Sequence, residues 1–469
     1  MLFRSKAFVE AAHHLGMRVV VEFVFRTTSR DADWAKEHPE WFYWIRADLP
    51  DRASGGNDEA KYGPPLFTHD ELGKIMASVD RGRFDDLIPP HPVYREMFTQ
   101  PPLPRAVETI DGKLIGTLGD GTKVRIPGAF ADWPPDDSQP AWGDVTYLRL
   151  YQHPDFNYIA YNTVRMYDAR VAQPANINRP LWDKIAGIIP HYQESYDIDG
   201  VMIDMGHALP MDLKREMIDR AREVDPEFAF WDENFEVNAK SVSEGYNAVI
   251  GYQWCDQHHP EKFKQLLKRF ALGGYPIPYF ATPESHNTPR AASREGGMRY
   301  SIFAWIVGNF IPAIPFIHSG FELGETHPIN TGLDFASEEV IHYPSERLPL
   351  FSEYPLDWCR IVQCVDIIRD VASLRSKFQS LITNPSTDTF LWMEIEDEDI
   401  IAFTRSIDGG KSGLLIIANS SMEHQSKFYL KVMLQRKLVQ DILTGRWHAV
   451  HDQSLDGDLS PGEVLVFGL

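Results

Sequence analysis

The chain has 469 residues, which at about 150 residues per domain corresponds to about three domains, or to one large α/β barrel with a satellite. Asp and Glu (67) outnumber Lys and Arg (46), and the resulting charge of −21 argues against nucleic acid or an anionic membrane as partner, because both reward a basic face. A hydrophobic content of 43% supplies a large core and excludes a disordered chain. Cys255, Cys359 and Cys364 are too few for a disulfide framework and contain no C-x-x-C pair. No apolar run reaches the roughly 18 residues of a membrane span. The N-terminal residues enter an amphipathic helical pattern rather than a signal peptide, so we expect a soluble, cytoplasmic protein.

In chain order, Phe8, Val9, Ala12 and Leu15 recur at helical spacing and Gly16 ends the run, after which Val19 to Phe25 reads as a buried strand. Between Thr27 and about Thr163 the chain is rich in Pro, Gly, Asp and Trp. It carries a hairpin pattern, Lys113 to Gly116 and Thr122 to Ile126 across Gly119-Asp120-Gly121. An excursion of this length predicts a substrate wall rather than a passive loop. Helix–strand alternation then resumes: Leu181 to Tyr192 before Gly200 to Met205, and Met211 to Val224 before Phe228 to Trp231. Short strands are expected at Val249 to Tyr252, Pro278 to Ala281 and Ile314 to Ile317, with helices at Glu261 to Leu272 and Tyr300 to Val307 between them. Such alternation implies a parallel sheet, and the length suits a barrel. From about Asp388 the pattern becomes all β, with strands around Phe390, Ile400, Leu414, Phe428 and Val464, which predicts a closing antiparallel sandwich. The expected domains are therefore a barrel at 1–26 and 164–385, an insertion at 27–163 and a β-sandwich at 386–469.

Three polar clusters follow predicted strands, where barrel enzymes keep their chemistry. Asp204 ends an apolar strand, a position poorly explained as core, although an acid there also suits a helix N-cap. Glu233 lies in Trp231-Asp232-Glu233-Asn234-Phe235, where flanking aromatics can desolvate it and raise its pKa as a general acid requires; the plainer reading is a surface acid beside a packed Trp. In Glu284 to Arg290, His286 and Asn287 can hold sugar hydroxyls, or Asn287 can simply start a helix before Thr288-Pro289. Two carboxyls about 5–5.5 Å apart would suit retaining glycosyl chemistry. Aromatic Trp41 to Trp44 either stacks on sugars or packs a loop. His13-His14 and His258-His259 are adjacent pairs without ligand spacing, so neither predicts a metal. Cys359 and Cys364 read as buried thiols on a helix.

At these residues the sequence resembles the α-amylase superfamily (glycoside hydrolase family 13), in order along almost the whole chain. Ala11 to Arg30 resembles the segment ending in the family's third barrel strand. Asp204 falls at the nucleophile after strand four, Glu233 at the acid/base after strand five, and Glu284 to Arg290 at the motif after strand seven. Phe321 to Glu325, Leu348 to Phe351, Leu356 to Trp358 and the C-terminal stretch through Leu459 to Val464 also fit. The stretches Phe25 to Asp31 and His38 to Ile45 resemble maltosyltransferase-like members more than simple amylases. The resemblance implies a (β/α)8 barrel with a loop insertion and a C-terminal sandwich, an α-glucan or malto-oligosaccharide substrate and no cofactor. It implies double displacement in which Asp204 attacks and Glu233 acts as acid then base, with His207 on the leaving-group side, His286 on a sugar hydroxyl and Trp231 beside the substrate.

The chain departs from the family pattern at its site residues. Met202 stands where the family has the Arg that keeps the nucleophile ionised, and Asn287 stands at the third acid, the transition-state stabiliser, where an amide supplies no negative charge. The family's Asp, Asn and His after strand three are Glu22, Arg26 and Thr27, and Arg at the Asn position argues against the family's structural calcium. Arg26 is a candidate to replace the missing guanidinium beside Asp204. One helix and one strand precede the insertion, so we expect a barrel lacking its first two β/α units and favour a fragment of a longer reading frame. The functional expectation is an α-glucan hydrolase or transferase. The alternatives are a carbohydrate-binding or scaffold homologue with a decayed site and, less well supported, an isomerase- or aldolase-type barrel, which would want a lysine or metal cluster at the strand ends.

Overall fold

The structure, a computed structural model, describes residues 2–48, 98–128, 145–152, 172–350, 352–359, 364–407, 412–432 and 436–469, together with 70, 71, 73, 74, 77 and 409. The expected boundary at 163–164 and Phe351 lie outside the described residues. Two compact units are present, Met1–Glu233 and Asn234–Leu469. Among the described residues no helix is long and apolar enough to cross a membrane.

In the first unit Val20–Phe23 pairs parallel with Gly200–Ile203, which pairs parallel with Ala229–Asp232, and Glu22, Met202 and Trp231 are aligned across the three strands. Val201, Ile203 and Phe230 are buried on one face of this sheet. Side-chain alternation therefore assigns Met202, Trp231 and, two residues on, Asp204 and Glu233 to the other face. Gly200 is demanded by close packing, since a Cβ there would meet the Ala229 carbonyl oxygen at 2.8 Å and the Ala229 Cβ at 2.9 Å. Helix Met211–Val224 buries Leu213, Met217, Ile218 and Ala221, an i, i+4, i+5, i+8 stripe. The helix expected from Leu181 onward is two, Arg179–Ala186 and Ile188–Tyr196. Pro190 explains the break: it lacks the N–H a continuous helix would need, yet fits a first turn where that donor is spare.

Also in the first unit, Phe98–Thr99, Trp44–Arg46, Lys123–Arg125, Lys113–Thr117 and Val107–Ile110 form one antiparallel sheet in that order, which includes the expected hairpin. Trp41, Phe42, Tyr43 and Trp44 are all buried, and the Trp44 indole donates to the Pro39 carbonyl at 2.8 Å. That aromatic run packs the loop and presents no sugar-stacking face.

In the second unit Ala248–Val249 bridges parallel to Tyr279, and Phe280–Ala281 pairs parallel with Ile314–Pro315. Helices Pro260–Gly273 and Met298–Phe310 lie between these strands in sequence. Downstream, Phe390–Trp392, Ile400–Ile407, Ser412–Asn419 and Val464–Gly468 make an antiparallel sheet in that order. Ser426–Lys431 pairs with Ser454–Leu459, and Leu438–Gln440 with Trp447–Ala449. One apolar cluster spans these sheets, including Ile400, Leu415, Phe428, Val439, Leu455 and Phe467. Cys364 begins helix Cys364–Lys377 and is buried, but Cys359 is exposed rather than a buried helical thiol. Its backbone N–H donates to Asp357 Oδ1 at 3.1 Å, a local turn that holds it off the helix.

Candidate active site

The parallel ladder of the first unit runs one residue past each strand. The Asp204 N–H donates to the Phe23 carbonyl at 3.0 Å and the Glu233 N–H to that of Ile203 at 3.3 Å. This brings two carboxyls to one face at the C-terminal edge of neighbouring strands. Met205 then turns the chain with a left-handed φ of +48°, and its N–H donates to Glu233 Oε2 at 2.6 Å before the turn Gly206–Ala208.

Asp204 lies close enough to Glu233 to act directly on its carboxyl. Desolvation first, and the charge of Asp204 next, push the Glu233 carboxyl up to about 8, against the Met205 N–H, which favours its ionised form. Two carboxyls placed this closely resist double ionisation, and they titrate as a pair. Glu22 adds a third acid nearby. Partial desolvation and then the charge of Asp204 raise its pKa, although the side chain as a whole stays exposed.

Of the other expected residues in this unit, Trp231 is half-buried beside Met202 in the sheet register, and His207 is exposed on the turn after Asp204. Arg26 is buried with its guanidinium over the Tyr147 ring, 5.5 Å from the centroid, and its carbonyl accepts from the Leu148 N–H. Met202 places a thioether where the resemblance implies a guanidinium.

The motif Glu284 to Arg290 follows strand Phe280–Ala281 in the second unit. Glu284 is fully buried and fully engaged: Arg290 Nη1 donates to Oε1 at 2.7 Å, the Ala291 N–H donates to Oε2 at 2.6 Å, and His318 Nδ1 lies 3.3 Å from Oε1. Arg290 Nε donates to the His327 carbonyl at 3.1 Å. Glu284 therefore locks the loop. Asn287 is wedged above this lock. Its Oδ1 accepts from Asn330 Nδ2 at 2.9 Å, its Nδ2 lies 3.1 Å from His286 Nε2, and its carbonyl accepts from the Leu333 N–H at 2.6 Å. Gly332 passes so close that a Cβ there would stand 3.1 Å from Asn287 Oδ1. His286 is exposed beside it. Sequence reasoning singled out Asn287 and His286 but missed the Glu284–Arg290 clamp and Asn330. The signal for the clamp was an acid and a base six residues apart after an apolar strand.

No family model and no curated protein matches the chain. Solved structures do. An α-amylase from Lactobacillus plantarum superposes with a TM-score of 0.59 at 15% identity, over 100% of this chain and 81% of that one. An Anoxybacillus α-amylase gives 0.58 at 14%, over 99% and 78%. The α-amylase of Geobacillus thermoleovorans, complexed with acarbose, gives 0.57 at 13%, over 100% and 80%. The chain thus has the amylase-type α/β fold.

Proposed function

We propose that the chain is a retaining α-glucan-active enzyme of the α-amylase superfamily. The observation that carries this reading is the placement of Asp204 and Glu233 on one face at adjacent strand ends, with burial and the Asp204 charge raising the Glu233 pKa. The Asp204 carboxylate attacks the anomeric carbon, and the glycosidic C–O bond breaks as its oxygen takes the Glu233 proton. Glu233, now a carboxylate, removes a proton from water or an incoming sugar hydroxyl. That oxygen attacks the same carbon and expels Asp204. Substrate has to enter between the carboxyls and part them to about 5–5.5 Å. His207 then flanks the leaving group, Trp231 lines the cleft, His286 holds a hydroxyl, and Arg26 offers a guanidinium in place of Met202. The resemblance of Phe25 to Asp31 and His38 to Ile45 supports transfer of a maltosyl unit over simple hydrolysis.

Asn287 favours a second reading, a carbohydrate-binding homologue with impaired catalysis, because a neutral amide held by Asn330 supplies no charge to an oxocarbenium-like state. Incubation with maltotetraose separates the readings. We expect products longer than the donor from transfer, or only shorter ones from hydrolysis, in either case abolished in Asp204→Asn. Binding with no product at any enzyme concentration would establish the second reading. Arg26→Ala should abolish turnover in a folded protein; an unchanged rate removes Arg26 from the site.

A further inference from the structure

Independently of the glucan reading, three loops of the second unit converge away from any assigned role. Cys255, His258 and His259 follow strand Ala248–Val249, Arg294 follows Phe280–Ala281, and Asp334 follows Ile314–Pro315. One ligand atom each from His258, His259 and Asp334 lie within 4.8 Å of one another. His258 Nε2 is 3.4 Å from Asp334 Oδ2, and the two imidazole centroids are 4.0 Å apart. Cys255 Sγ lies 3.9 Å from Asp334 Oδ1. The His258 Nδ1 atom is buried without a hydrogen-bond partner, an orphaned nitrogen in a polar cluster.

From this geometry we propose a zinc site formed by Cys255, His258, His259 and Asp334. The donor set selects the metal: imidazole and thiolate nitrogen and sulfur suit Zn²⁺, whereas Mg²⁺ and Ca²⁺ require oxygen cages. Four donors match tetrahedral coordination. Zn–N bonds of about 2.0–2.1 Å imply donor–donor edges of about 3.4 Å, so His258, His259 and Asp334 need only a modest contraction around the ion, while the Cys255 thiol has to swing in from beside Asp334 Oδ1. The short helix Gln253–Asp256 carries Cys255, and the turn after it carries His258 and His259. Arg294 opposes the ion, since its Nη2 donates to Asp334 Oδ2 at 2.5 Å. Asp334 keeps that bond and meets the zinc with Oδ1, the oxygen facing Cys255. Binding displaces the thiol proton to solvent, so thiolate and carboxylate together balance the dication. The adjacent histidines had no ligand spacing of their own; the third ligand is Asp334, far downstream in sequence.

The test loads the full chain with Zn²⁺, removes excess by gel filtration and measures bound metal, then repeats the loading with Co²⁺ and records the visible spectrum. We expect one zinc per chain and at least tenfold weaker retention in His258→Gln and in Asp334→Asn. We also expect a thiolate-to-cobalt band that Cys255→Ser removes. Arg294→Gln should bind zinc more tightly, a gain that misfolding cannot produce. Metal-free elution of the wild-type chain, equal zinc in the ligand variants, a Co²⁺ spectrum indifferent to Cys255, or no gain in Arg294→Gln would each overturn the site.

Discussion

Asp199 and Asp204 flank one strand, Gly200–Ile203, and the structure treats them oppositely. At the N-terminal end Asp199 is surrounded by donors: the Val19 N–H at 2.7 Å, Arg18 Nη1 at 2.6 Å and His13 Nε2 at 2.8 Å. Desolvation opposes its ionised form, but these hydrogen bonds outweigh it and hold the carboxyl below the usual aspartate range. At the C-terminal end Asp204 faces another acid, and the result is a Glu233 pushed far upward. Burial acts in the same direction at both ends; at Glu233 it is the largest cause and Asp204 adds to it, whereas at Asp199 the donors overcome it. A carboxyl given cations and N–H groups fastens the fold, whereas one given a second carboxyl holds a proton that can be transferred. Glu284 in the second unit repeats the first pattern in its extreme form, fully buried against Arg290.

Substitutions that break this contrast should differ in what they damage. Glu233→Gln is expected to lower turnover of a malto-oligosaccharide by about 10²–10⁴-fold, the usual worth of a general acid, with stability preserved at neutral pH. Steady-state rates and urea unfolding on the same sample check both halves. Arg290→Ala, which leaves the Glu284 carboxylate buried without its guanidinium, should cost about 3–5 kcal/mol in urea unfolding. Asp199→Ala removes hydrogen bonds to a charged group and should cost about 1–3 kcal/mol without changing KM or kcat of the folded fraction. A loss of turnover at constant stability in Asp199→Ala would erase the distinction between the two ends.

The linkage to pH has a sign that differs between the two ends. Glu233 has a raised folded pKa, so its contribution to stability is full below the unfolded value of about 4.3 and is lost as pH rises toward about 8. Asp199 has a lowered folded pKa, so its contribution is present above about 3.9 and is lost as pH falls through the folded value. Unfolding free energies across pH 5–9 should therefore flatten in Glu233→Gln. Those across pH 2–5 should flatten in Asp199→Ala.

Much of the frame was legible because parallel strands read as short apolar runs, as in Val19 to Phe25 and Gly200 to Met205, although Val20–Phe23 is half-buried to exposed rather than the buried strand expected. The C-terminal strands were harder. Leu438–Gln440 and Trp447–Ala449 are too short to show a pattern, Ser454–Leu459 is mostly polar, and none of the three is expected from the sequence. Ile400–Ile407 runs past its apolar start because Arg405 is buried, donating to the carbonyls of Leu381, Ile382 and Asn384. A charged residue inside a strand becomes intelligible only when those distant carbonyls are known. The same holds for the site. Asp204 and Glu233 could be picked out by their place after apolar strands, but their pairing on one face depends on the sheet register. Asn330 and Gly332, which fix Asn287, carry no local signature at all.

The central claim, that Asp204 and Glu233 divide nucleophile and proton donor between them, is tested most directly by trapping the glycosyl–enzyme. In Glu233→Gln, an α-maltosyl fluoride needs no proton to leave, while the second step is deprived of its base. Mass spectrometry of the digested protein should then show a maltosyl adduct on the peptide containing Asp204. An unmodified Asp204 peptide, or an adduct on a different residue, would contradict the assignment.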